Sequence, residues 1–354
     1  MKKQWKTIRG TMAKMLVAAL LVTVLPVTAH AKMAPLPEVY RYEVTADSPE
    51  WSKLETVDDK VEACRISEGE LKDMQDAELI QAVLDFPLLI EVFAYDDPVI
   101  GVKSLEQISD AYRELISRKS AKASSLEVVR QRSAAQTSTI SAEEEIKNDA
   151  LISMILYQEC FRNKLSVDEL NEVADLSASI KVSLSPLSSY STQAKTYVYT
   201  PKGTAVEYVT RTCSHSSSDY HATLDQQCVK DYGVTLVASG SCKYNCHSYA
   251  WHSQSANNKW INNPSAYMTD GSYKKVTSGI NSSSVNVVSG DKVFYGSVSN
   301  LSSSHSAVVT SSATGSPLGT RKVKSKWGSL GVFSHIVSNV PASYDTSNVS
   351  AWHR

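Results

Sequence analysis

Cys246 lies in the run Lys243-Tyr244-Asn245-Cys246-His247-Ser248-Tyr249-Ala250-Trp251, and 59 residues later the chain offers Ser304-His305-Ser306-Ala307-Val308-Val309. A cysteine at a helix start followed by a histidine opening a strand is the order a thiol hydrolase needs. A nucleophilic thiol must be held as thiolate, and a helix N-terminus and a nearby imidazolium both lower a cysteine pKa. Around this pair, Tyr244, Asn245, His247 and Trp251 are candidates for oxyanion or cleft positions.

A third block, Ser289-Gly290-Asp291-Lys292-Val293-Phe294-Tyr295, falls between the other two. The three blocks, in this order, resemble the CHAP and NlpC-type cell-wall cysteine hydrolases of the papain-like superfamily. The likeness covers roughly residues 200 to 340 and leaves out the chain before it. In that family the cysteine begins a helix packed on an antiparallel sheet and the histidine starts a neighbouring strand, so Cys246 and His305 match those positions. The Gly290-Asp291 pair matches a structural turn. The third, imidazole-orienting group is often acidic in CHAP domains, but the matching stretch Lys322-Val323-Lys324-Ser325-Lys326-Trp327 has no carboxylate. Ser325, or His335 one strand later, is the candidate there.

The activity implied is hydrolysis or transfer of an amide, with peptidoglycan peptides as substrate. The Cys246 thiolate attacks a carbonyl, the Cys246 backbone N–H and a group from Tyr244 steady the oxyanion, and His305 protonates the leaving amine. A competing reading is a catalytically silent, secreted binding protein that keeps the fold, with Cys246 claimed by a disulfide.

The elements that must position these residues read as α+β, a helical bundle followed by a papain-like domain of helices packed on an antiparallel sheet. Residues from about 66 to 180 look helical, with capping-box spacings at Ser67 to Glu70, Ser104 to Gln107, Ser141 to Glu144 and Ser166 to Glu169. Leu105, Ile108, Tyr112, Leu115 and Ile116 share one face, and Pro87 should divide the apolar run from Leu79 to Phe93. Residues 181–200 read as a linker. Helices are expected over Asp219 to Tyr232 and from Cys246. Strands are expected over Val206 to Thr210, Val285 to Val288, Lys292 to Tyr295, His305 to Thr310, Arg321 to Trp327 and Gly331 to Val337.

Composition frames where such a protein would work. Residues 1–31 read as a bacterial export signal, with Lys2, Lys3, Lys6, Arg9 and Lys14 ahead of an apolar run and an Ala29-His30-Ala31 cleavage site. No later stretch is apolar enough to span a bilayer, so a secreted or wall-associated protein is expected. Residues 32–199 carry 30 acidic and 18 basic side chains, whereas 200–354 carry 7 and 13. Those opposite signs suggest that an acidic helical domain, 32–180, docks on a basic domain, 201–354, and limits access to the cleft.

Export makes disulfides plausible. Cys64 with Cys160 and Cys213 with Cys228 are the expected bridges; Cys242 with Cys246 is the pairing that would silence the nucleophile. Cys213, His215, His221, Cys228, Cys242, Cys246, His247 and His252 lack the paired short spacing of a zinc finger, so neither metal nor cofactor is expected. The modest positive charge of the second half, without an aromatic-basic platform, argues against nucleic acid.

Overall fold

Short polar side chains at N-caps set where the first helices begin. The computed structural model describes residues 40–95, 98–134, 151–156, 158–179, 195–211, 218–311 and 316–354. The export signal, the Ser141 capping box, Cys213, His215 and residues 181–194 of the linker lie outside the described residues. Thr56 and Asp59 bond reciprocally at the start of α1 (Val57–Ala63), and Ser67 and Glu70 do so at α2 (Glu68–Asp73). Then come α3 (Asp76–Leu84), a buried 3-10 segment (Leu89–Ala94) after Pro87, α4 (Pro98–Ile108), α5 (Asp110–Ser117) and α6 (Ala121–Ala134). Residues 151–156 are helical, and α7 (Glu159–Arg162) and α8 (Val167–Ser179) complete this part, with the Ser166–Glu169 box formed.

Ser104 is not a cap. It lies inside α4, its hydroxyl bonded back to Gly101 O at 2.6 Å, because Pro98 already supplies a preorganised helix start. The cap in this stretch is Ser109, which accepts the Tyr112 N–H and opens α5.

The remainder is mixed helix and sheet. A hairpin of β1 (Thr196–Tyr199) and β2 (Ala205–Tyr208) precedes α9 (Ser218–Tyr232), β3 (Thr235–Ala238), α10 (Cys246–Trp251) and α11 (Ser265–Thr269). The six later strands are β4 (Lys274–Ser278), β5 (Lys292–Ser297), β6 (Asn300–Val309), β7 (Lys322–Lys326), β8 (Val332–Ile336) and β9 (Val349–His353). With β3 they make a seven-stranded antiparallel sheet in the order β3-β8-β7-β6-β5-β9-β4. β1 therefore occupies the end of the stretch expected as linker. Val285 to Val288 is a turn rather than a strand, for Val285 is exposed and Asp291 Oδ2 takes the Val288 N–H in a tight loop before β5.

The two faces of the sheet are buried by different partners. Phe294, Val308 and Val332 pack with Tyr249, Ala250 and Trp251 of α10, whereas Val293, Tyr295, Ala307, Val309, Val323 and Phe333 join a core that continues into the N-terminal helices. That shared core runs from Tyr42 to Ala351, and Pro37–Arg354 is one compact unit. The change in charge near residue 200 is not an edge between separate cores.

Nor is charge the main tie between helices and sheet. Lys230–Asp47 is an exposed ion pair, of a kind worth little. The buried ties are hydrogen bonds: the Trp51 indole and the Lys60 ammonium both donate to Asp231 O, the last turn of α9, at 2.7 and 2.9 Å. Glu91, 1% exposed, accepts from Tyr232 Oη (2.5 Å), Ala342 N (2.7 Å) and Ser343 N (3.3 Å).

Candidate functional site

Asn245 fixes the start of α10, and with it Cys246. Its side chain accepts the Ser248 N–H, and the Ser248 hydroxyl receives the Asn245 N–H in return. The same amide bonds both backbone groups of Ile261, Nδ2 to O at 2.8 Å and Oδ1 from N at 3.3 Å. Cys246 is consequently the first residue of a six-residue helix, 3% exposed and outside any disulfide.

Cys246 lines a cavity of about 200 Å³ together with His247, Asn262, Leu301, Ser303, Ser304 and Tyr344. Ala94, Tyr95 and Ile100 of the N-terminal part close its other side. The helical residues thus form a wall of the chamber that holds the thiol.

His247, His305 and His335 are buried on or beside the sheet, and their hydrogen bonds separate them. His247 Nδ1 lies 2.9 Å from Ser306 Oγ, and its Nε2 lies 3.2 Å from Ser304 Oγ. The Trp251 indole can only donate, so Ser306 Oγ accepts from it (2.8 Å) and passes its own proton to His247 Nδ1. Ser304 gives its proton to Leu301 O (2.8 Å) and so receives the Nε2–H of His247. His247 is thereby held neutral as the Nε2–H tautomer, and burial pushes its pKa down to about 3.

An analogous relay serves the other sheet face. The Trp327 indole donates to Ser325 Oγ (3.0 Å), Ser325 donates to His335 Nε2 (2.7 Å), and His335 Nδ1–H donates to Ile336 O (2.8 Å). His335 is the Nδ1–H tautomer, with its pKa lowered to about 4 by burial. Ser325 and His335, each a candidate to orient His305, bond each other instead.

His305 has no such commitment. It is fully buried, and neither ring nitrogen has a hydrogen-bond partner. Tyr344 lies flat on it, ring centroids 3.9 Å apart and planes 5° apart, and Tyr295, its cross-strand neighbour, is 5.3 Å away. Burial holds its pKa well below the ordinary histidine value, with His335 and His247 adding to the depression. Alternation along β6 sends Ser304 and Ser306 toward α10 and places His305 with Ala307 and Val309 on the opposite face. Cys246 and His305 are accordingly not hydrogen-bonded; Tyr344 borders both.

The remaining candidates serve the fold. Tyr244 is buried against Tyr249 and lies 5.2 Å from the Lys326 ammonium, which donates to Gly328 O and Leu330 O. Trp251 packs on Tyr267 and Tyr273. Asp291 accepts from Val288 N and pairs with His353 at 2.7 Å, which accounts for the Gly290-Asp291 turn as structure. Of the four cleft candidates only His247 lines the cavity with Cys246. Asn262, Ser303 and Tyr344 also line the cavity, and only the run of serines before His305 hints at this in the sequence.

The expected bridges are not formed. Cys64 and Cys160 are both thiols, one buried in the helical core with its pKa pushed up to about 12 by burial, the other exposed on α7. Cys228 is also a thiol, fully buried in α9, where cysteine serves as a small apolar residue. Cys242 is in a disulfide, and since Cys246 is not, the two are not paired with each other. Among the described residues no three His, Cys, Asp or Glu side chains gather as a metal site, and no helix is long and apolar enough to cross a membrane. Comparison of the chain with protein-family models, curated proteins and solved structures gave no match.

Proposed function

We propose that the protein is a secreted, papain-like cysteine amidohydrolase related to the CHAP and NlpC hydrolases, acting on amide bonds in cell-wall peptides. One observation carries the reading: an unbridged thiol heads a helix on the wall of a cavity, and behind Tyr344 sits the one buried histidine, among the described residues, with neither ring nitrogen hydrogen-bonded. A buried unsatisfied imidazole costs stability and calls for a role, and His247 and His335 already have theirs. In a working arrangement that brings His305 within reach of the thiol, Cys246 Sγ attacks the carbonyl, its proton passing to His305. The imidazolium then protonates the leaving amine, and water releases the acyl group.

A second reading, a silent binding protein, draws on the direction of His305 away from α10. It does not draw on a bridged Cys246, which is a thiol. Alkylation by iodoacetamide, followed at the Cys246 peptide by mass mapping, separates the two. Under the hydrolase reading His305→Gln slows alkylation at neutral pH at least tenfold; equal rates in both proteins favour the silent one.

A further inference from the structure

We propose that the connection between β8 and β9 is a gate over His305, held shut by the segment Glu91–Tyr95 of the helical part. This inference concerns the regulation of the Cys246 site and rests on the reading of His305 as its base. Four attachments converge on three residues of the connection. Glu91 Oε1 accepts the Ala342 N–H at 2.7 Å, and its Oε2 accepts the Ser343 N–H at 3.3 Å. The Tyr344 hydroxyl donates to Ala94 O at 2.7 Å, and the Tyr95 hydroxyl reaches Ser343 O at 3.5 Å.

These attachments place the Tyr344 ring where it matters. One side of it stacks on His305, and the residue also lines the cavity that Cys246 lines. In the open state of this gate the ring swings off the imidazole, taking away the one aromatic face that lies parallel on it among the described residues, and the cavity lined by Cys246 and Tyr344 extends to His305. Ala94 and Tyr95 line the same chamber, so the segment that latches the gate is also a wall of the site. The Gly328 turn packs against the same two residues; a Cβ there would lie 2.5 Å from Ala94 O and 2.6 Å from Tyr95 O. The latch is thus seated by close backbone contact from the sheet side. In this arrangement the helical part acts as an inhibitor built into the chain, and a partner that draws Glu91–Tyr95 away would open the site.

The test uses the full chain. Tyr344→Phe removes one latch bond and keeps the stacked ring; Glu91→Gln weakens two others without emptying the core. Iodoacetamide alkylation of the Cys246 peptide is timed for each variant, alone and combined with His305→Gln, after thermal melts show all are folded. Each single variant should alkylate about 3- to 10-fold faster than wild type, the population shift expected from losing one such hydrogen bond. That gain should vanish in the His305→Gln background. A gain that persists there supports the gate and overturns His305 as base. No gain, with His305→Gln alone still slowing alkylation, overturns the gate and leaves the hydrolase reading standing.

Discussion

Tyr344 lies parallel to His305 at 3.9 Å while its hydroxyl is tied to Ala94 O. The loop after β8, the histidine on β6 and the segment before α4 are therefore mechanically one unit. Disturbing any of the three should be felt at the other two.

Glu91 makes that unit sensitive to pH. Burial raises its carboxyl pKa to about 7, against the pull of the three donors that face it. A carboxyl raised on folding contributes stability below its unfolded value and loses it as pH rises through the folded one. The stability difference between wild type and Glu91→Gln, from urea unfolding, should fall by about 3 kcal/mol between pH 4.5 and pH 8. A flat difference would show that Glu91 stays ionised throughout.

The histidines act in the opposite sense. The buried rings of His247, His305 and His335 have depressed pKa values, His247 to about 3 and His335 to about 4. Their stabilisation is complete above the unfolded value near 6.5 and is lost as pH falls below it, at about 1.4 kcal/mol per histidine per pH unit. Urea midpoints measured from pH 6.5 down to pH 4.5 should drop steeply, and His335→Gln should make the slope shallower by one proton.

The two Trp–Ser–His relays can be read directly. Long-range ring couplings in ¹⁵N NMR should show His247 as the Nε2–H tautomer and His335 as the Nδ1–H tautomer. Ser306→Ala leaves the Trp251 donor and the His247 acceptor unpaired in the interior, a loss of about 1 to 3 kcal/mol in denaturant titration. A loss below about 0.5 kcal/mol would mean that water replaces the hydroxyl.

Gly328 has φ +47° and no space for a methyl group. Gly328→Ala combines the strain of the left-handed region with a clash against two carbonyl oxygens, a cost above about 1 kcal/mol. The same substitution at Gly203, φ +84° with open surroundings, should cost only the strain. Comparing the two melting temperatures isolates the contact with Ala94 and Tyr95.

Thiol counting checks the cysteines. In the native protein exposed Cys160 should react with an aromatic disulfide reagent, slowed by the upward shift that partial burial gives its pKa, while Cys64 and Cys228 should react only on unfolding. Mass mapping that found Cys64 joined to Cys160 would contradict the structure.

Local signals in the sequence carried a long way. Serine caps located α2 and α8, Pro87 broke the apolar run after α3, and the apolar stripe from Leu105 to Ile116 is core, although Ser109 splits it into two helices. The start of α10 is legible too, and the Asn245–Ser248 box is what fixes it. Strands β1, β3, β4 and β9 are not legible in the sequence: β1 falls in the stretch read as linker, β3 and β4 are short edge strands with little alternation, and β9 is defined by its neighbours β5 and β4. The face that His305 takes is not legible in the sequence, because period two assigns residues to faces without saying which face a helix will cover. That choice belongs to Ser306, which collects His247 and Trp251, and to a helical core that fills the other side.

The continuous core from Tyr42 to Ala351 has a practical consequence for anyone dissecting the molecule. A fragment cut where the charge changes would bare Val293, Val323, Trp327 and Phe333 to water and strand the backbone amides of Ala342 and Ser343 without their acceptor. Such a fragment invites aggregation, so its silence in an assay would report damage to the scaffold and not the chemistry of Cys246.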